Sequence, residues 1–136
     1  MAPARGWTGP AAGLAVLVAC GLVAGCGEDR PSGAVARGEA IADDVGCMAC
    51  HSTGTDAKIG PGWGEIWGTE VELVDGRTVT VDEDYLRRAV TDPGADVVSG
   101  FQLSMPAVPL SDEEVEALTA YLRWVSGDES VSGGGS

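Results

Sequence analysis

A small, mainly α-helical domain of three to four helices with one β-hairpin insertion is the fold class this 136-residue sequence predicts. Three observations lead there. Apolar residues recur at helical spacing in three separate segments, each bounded by a start or stop signal. Between the first two, apolar and polar residues alternate on both sides of Asp75-Gly76, a two-residue hairpin signal. An apolar leader precedes them and leaves about 90 residues to fold, a size at which apolar burial alone is marginal.

The leader comes first. Residues 11–25 are apolar and follow a short segment carrying Arg5, the composition of a secretory signal and short of the ~20 residues that span a bilayer. Its end, Leu22-Val23-Ala24-Gly25-Cys26, resembles the lipobox of bacterial lipoproteins, where cleavage before the cysteine leaves that residue lipidated. Leu17-Val18-Ala19-Cys20 fits the same pattern loosely, and ordinary cleavage or an uncleaved anchor are the other options. The expected organisation is a signal peptide over 1–25, a tether over 26–36, the folded domain over 37–126 and a flexible, glycine-rich tail over 127–136.

Within the domain, Ile41, Ala42 and Val45 mark a helix over 36–45 that stops at Gly46. Residues 52–64 read as a loop whose glycines permit close backbone approach to a flat ligand, with Trp63, Ile66 and Trp67 as an apolar cluster behind it. The hairpin pairs 69–74 with 77–81. Asp82 caps a helix through Tyr85, Leu86, Ala89 and Val90 that stops at Asp92-Pro93-Gly94. Residues 95–109 form a loop carrying Met105. Ser111 caps the last helix, Glu114 completes a capping box, and Val115, Leu118, Leu122 and Val125 form one apolar stripe.

The formal charge is −13, and removing the leader takes away only Arg5, which brings it to −14. Such acidity opposes binding to nucleic acid or to anionic lipid heads and favours a basic docking face on a protein partner. Solubility of an exported protein, or a saline habitat, accounts for it equally well.

The chemistry centres on Cys47-Met48-Ala49-Cys50-His51, the C-x-x-C-H attachment signature of a covalent c-type haem. Two thiols three positions apart can each bond one vinyl group on a haem edge, and the adjacent imidazole is then held beneath the iron. A dithiol redox pair or half of a zinc site also uses C-x-x-C. Zinc lacks ligands here, because His51 is the only histidine and the other cysteines, Cys20 and Cys26, lie in the leader. A dithiol pair lacks the strand and helix alternation that usually surrounds it. A low-spin carrier needs a sixth ligand, and Met105 is the candidate, since Met1 belongs to the leader and Met48 sits between the two thiols. The alternative for Met105 is an apolar gap-filler. Once haem and lipid are attached, no cysteine remains for a disulfide.

The order helix, C-x-x-C-H, Gly-Pro loop, methionine loop, helix resembles a class I mono-haem cytochrome c. Gly60-Pro61-Gly62-Trp63, Ile66-Trp67-Gly68, the hairpin, Val81-Asp82-Glu83-Asp84-Tyr85-Leu86, Asp92-Pro93, Met105-Pro106 and Leu110-Ser111-Asp112-Glu113-Glu114 are similar to the cytochrome c domain fused to subunit II of some bacterial haem-copper oxidases. The similarity runs over residues 38–125. It implies one haem c bonded at Cys47 and Cys50, axial ligands His51 and Met105, and a Pro61 carbonyl accepting the His51 ring N–H. Trp63 or Trp67 would reach a propionate, with core packing as an equal alternative, and Gly38 and Tyr121 would mark a helix crossing. Two departures stand out. Ala42 replaces a bulky aromatic, which suggests a looser first helix, and there is no copper-binding domain.

The implied function is a lipid-anchored electron carrier on the periplasmic side of the membrane, catalysing no bond chemistry and taking no small-molecule substrate. Its partners would be a quinol-oxidising complex and a terminal oxidase, and the domain would be monomeric. The alternatives are a dedicated haem subunit of a membrane oxidoreductase complex and a haem sensor for a small ligand.

Overall fold

The computed structural model describes residues 31, 33–101 and 105–132, so the expected signal peptide, Cys20, Cys26 and most of the expected tether lie outside the described residues. Helix α1 is Ala34–Asp44. It begins two residues earlier than the apolar spacing suggests, because Val35 is drawn into the core, and so takes in residues 34–36 of the segment expected as tether. Gly46, in the left-handed region with φ 78°, ends the helix and turns the chain into the haem motif.

Helix α3, Asp112–Val125, crosses α1 at very short range. A Cβ at Gly38 would run into the Ala117 carbonyl and lie 2.7 Å from Tyr121 Cβ, so glycine is what allows the crossing. Ala42 is fully buried beside it. The small side chain thus gives close packing, not the looser helix anticipated for it. The capping box forms as its residues suggest: the Glu114 main-chain N–H donates to Ser111 Oγ at 3.3 Å, and the Ser111 N–H to Glu114 Oε2 at 2.8 Å. Val115, Leu118, Tyr121 and Leu122 of α3 join Leu86 and Val90 of helix α2, Glu83–Thr91, in one core. Asp82 caps α2, its Oδ1 accepting from the Tyr85 N–H at 2.8 Å.

The hairpin pairs β1, Glu70–Glu72, with β2, Thr78–Thr80, in the register Glu70 to Thr80, Val71 to Val79 and Glu72 to Thr78. Its turn differs from the two-residue form that Asp75-Gly76 suggests. The Leu73 N–H reaches the Arg77 carbonyl at 2.8 Å and the Gly76 N–H reaches that of Leu73 at 2.9 Å, leaving Val74-Asp75-Gly76 as a three-residue loop. Only Gly76 has positive φ, at 85°. A two-residue type I′ turn would need it at Asp75 as well, whereas here Asp75 Oδ1 accepts from the Arg77 N–H and steadies the longer form.

The supposed loop after α2 is not wholly irregular either. Val98 bridges Leu73, the Val74 N–H donates to Val97 O and the Ser99 N–H to Glu72 O, both at 2.8 Å, so residues 97–99 run along the edge of β1. At the far end, a short helix α4, Glu129–Ser132, occupies part of the segment expected to be a flexible tail. Arg123 holds it through Asp128 at 2.8 Å and through Ser130. No helix among the described residues is long and apolar enough to cross a membrane.

Candidate functional site

A single 3-10 turn, Cys47–Ala49, follows Gly46. Both the Cys50 and His51 main-chain N–H groups return to the Cys47 carbonyl, at 3.1 and 3.0 Å, which gathers two free thiols and the imidazole at one point. All three line a cavity of about 380 Å³ whose walls are largely apolar. Leu86 and Val90 come from α2, Leu118 and Leu122 from α3, and Ile66 and Val81 from the segments around the hairpin.

His51 is almost fully buried and tightly placed. Its Nδ1 donates to the Pro61 carbonyl at 2.8 Å, which leaves Nε2 as the nitrogen with a free lone pair. Two main-chain bonds bracket that contact: Gly60 N–H to Cys50 O at 2.8 Å and Trp63 N–H to Ser52 O at 2.9 Å. The Trp63 ring stacks on the imidazole, 5.1 Å between centroids and 28° between planes, and Tyr121 meets Trp63 edge-on. A Cβ at Gly60 would stand 2.5 Å from His51 Cε1, and one at Gly62 would stand 2.8 Å from Asp56 O. The loop glycines therefore close on the imidazole and on their own backbone, and Gly60 also lines the cavity.

Burial lowers the His51 pKa, with the Pro61 carbonyl working against it and Lys58 with it, and the ring is held neutral, as a metal ligand must be. Burial likewise raises that of the Cys47 thiol, partly offset by a backbone hydrogen bond.

Met105 is half-buried on the wall of the same cavity. Its segment is fastened to the end of α2 where the Val108 N–H meets the Val90 carbonyl at 2.7 Å. The structure thus brings Cys47, Cys50, His51, Pro61, Trp63 and Met105 to one cavity. Trp67 is not on that wall; its ring lies under the Arg123 guanidinium, 5.5 Å from carbon to centroid.

Two features escaped the sequence reading. Asp96, a buried carboxylate, lies on the cavity wall. Ser126, just past α3, donates to the Trp63 carbonyl at 2.6 Å and accepts from the Trp67 N–H at 3.2 Å, tying the tryptophan segment to the last helix. An aspartate amid twenty other acidic residues and a serine at a helix end carry no local signal of such roles.

Two thiols in one turn, an imidazole with one nitrogen held and the other free, a thioether and an apolar slot form a donor set that fits a covalently bound haem. Among the described residues, no three His, Cys, Asp or Glu side chains gather as a site for a bare ion. The family model for cytochrome c matches residues 35–126. Comparison with curated proteins gives no match.

Proposed function

The chain belongs to the cytochrome c family, and from that premise we propose that it is a membrane-tethered carrier passing single electrons within a respiratory chain to a terminal oxidase. It is an electron-transfer haem protein, with haem c on the C-x-x-C-H motif of Cys47, Cys50 and His51. The bound haem supplies a one-electron couple. Cys47 and Cys50 would hold it through thioether bonds. His51 would ligate the iron through Nε2, with Pro61 fixing its tautomer and raising its basicity. Met105 would ligate it through its sulfur, which would favour the reduced state. Leu86, Val90, Leu118 and Leu122 keep water from the slot.

The observation that carries this proposal is the convergence of His51 and Met105 on one apolar cavity that also holds both thiols. Cys26, the lipidated residue in this proposal, anchors the chain outside the cytoplasmic membrane, and the similarity to the oxidase-fused cytochrome c domain supports a terminal oxidase as acceptor. The acidic surface supports a basic face on the partner.

Absorption spectra of the purified protein, oxidised and reduced, with and without carbon monoxide, test the ligand set. A six-coordinate c-type spectrum with the weak far-red thioether band and no response to the gas is expected. Ready gas binding would instead place this chain among haem sensors. Cys26→Ala is expected to move the protein from the membrane fraction to the soluble one. Co-purification with an oxidase would turn the free carrier into a dedicated subunit.

A further inference from the structure

Asp96 is the only buried carboxylate among the described residues, with 2 % of its side chain exposed, and it stands on the wall of the cavity shared by His51 and Met105. Neither the covalent attachment nor the axial ligation uses it. Each of its oxygens is engaged: Arg88 Nε donates to Oδ2 at 2.8 Å, and Arg77 Nη2 reaches Oδ1 at 3.0 Å. The three residues come from three parts of the chain. Arg88 is on α2, Arg77 follows the hairpin turn, and Asp96 begins the segment that runs along β1. Arg77 also donates to the Ala95 carbonyl at 2.9 Å and pairs with Asp75, so the geometry is held from both ends.

The cluster has a direction. The carboxylate is inside, while the side chains of Arg77 and Arg88 are 53 % and 47 % exposed. Water and salt screen the outer guanidiniums much more than the inner carboxylate. Of the cluster only Asp96 lines the cavity, so the charge nearest to it is negative. The hydrogen bonds from Arg88 and Arg77 hold the Asp96 pKa below the usual carboxylate range against the opposing effect of burial, so the charge persists at neutral pH.

We propose that Asp96 is a fixed internal charge that lowers the reduction potential of the bound haem, with Arg88 and Arg77 setting how much of that charge the cavity feels. The proposal rests on the electron-carrier function above and adds to it a residue that acts by charge, without touching the iron. A negative charge favours the ferric state, which carries one more positive charge than the ferrous, and a nearby cation opposes this.

The test is equilibrium redox titration of the intact haem-loaded protein and of its variants, at low and high salt. Asp96→Asn keeps the shape and removes the charge. Its expected effect is a rise in potential, about tenfold in the ferric–ferrous equilibrium or ~59 mV for one electron, persisting at high salt. Arg88→Gln is expected to shift the potential the other way, by less, and to lose much of that shift when salt is added. Opposite signs are what a packing role would not produce. If Asp96→Asn keeps the wild-type potential, or if both variants move it in the same direction, the proposal is overturned. Should Asp96→Asn fail to fold, Arg88→Gln decides alone: a lower potential supports the charge, and an unchanged or higher one overturns it. A wild-type protein with no reversible couple would instead overturn the carrier function itself, and this role with it.

Discussion

The two walls of the haem cavity are built in opposite ways. The histidine wall, residues 46–63, is stitched to itself: the Cys47 turn, Gly60 to Cys50, Pro61 to His51 and Trp63 to Ser52 all lie within eighteen residues. In the described part of the methionine wall, local bonds such as Phe101 N–H to Val98 O at 3.2 Å are joined by longer-range ones. Residues 95–99 lean on the hairpin through Val97 and Ser99 and on Arg77 through Asp96, and Val108 leans on α2 through Val90. The lesson is that the hairpin is not an ornament. It is a scaffold that braces the start of the methionine side from outside that segment, so the two proposed ligands differ in which parts of the fold hold them.

The largest effect should come from removing the ligand that depends on that scaffold. Met105→Ala is expected to open the distal position, lower the potential and abolish electron-transfer competence, with carbon monoxide binding as the direct readout. An unchanged potential would remove Met105 from the ligand set.

Next comes the scaffold itself. Leu73 is 1 % exposed and bridges Val98 at the seam between hairpin and methionine wall. Leu73→Ala should cost about 3 kcal/mol in thermal or denaturant unfolding, the range for a fully buried leucine. If the walls are as independent as their bonding suggests, added imidazole should displace Met105 more readily in this variant while the His51 ring N–H resonance stays put. Loss of both together would mean that the walls act as one unit.

Gly60→Ala is the converse probe. Its new Cβ would sit 2.5 Å from His51 Cε1 and 2.9 Å from Nδ1, so the imidazole must turn away from the Pro61 carbonyl. Losing a hydrogen bond of this kind behind a metal ligand typically costs ~10-fold or more in affinity or activity. The expected signs are a reduced yield of haem-loaded protein and a raised potential, because a less basic imidazole favours ferric iron less, with methionine ligation retained.

The same contrast decides what was legible in the sequence. Cys47, Cys50 and His51 could be read together from C-x-x-C-H, because they are close along the chain, and the Pro61 contact follows from the family resemblance. The helix starts could be read for the same reason, since Asp82 and Ser111 bond three residues ahead, whereas the crossing at Gly38 and Tyr121 comes from the family resemblance. Of the methionine wall only Met105 itself could be read. Val97-Val98-Ser99 is too short to signal a strand, and its pairing is with residues some 25 positions earlier. Aspartate is ordinarily a surface residue, so the burial of Asp96 follows only from two arginines that folding brings to it. Asp-Gly serves a two-residue or a three-residue turn alike, and the Asp75 side chain chose between them.

The smallest effect should come from a place belonging to neither wall, which makes it the control. Asp128 anchors α4 to Arg123 and accepts from the Ser130 N–H, and the bonds to Ser130 and Arg123 lower its pKa from 3.8 to about 2. A carboxyl depressed in the folded state stabilises that state above the unfolded value, and the contribution is lost as pH falls from about 3.8 towards 2. At neutral pH the anchor is intact. Asp128→Asn removes its charge there, so the amides of α4 should exchange with solvent faster while the potential and carbon monoxide response remain those of wild type. The pair is at the surface, where such bonds do little for the whole domain, so the melting temperature should barely move. A shifted potential in this variant would mean that the Arg123 guanidinium, released over Trp67, reaches the histidine wall through Trp63 and Ser126, and the boundary of that wall would then have to be drawn to include the end of α3.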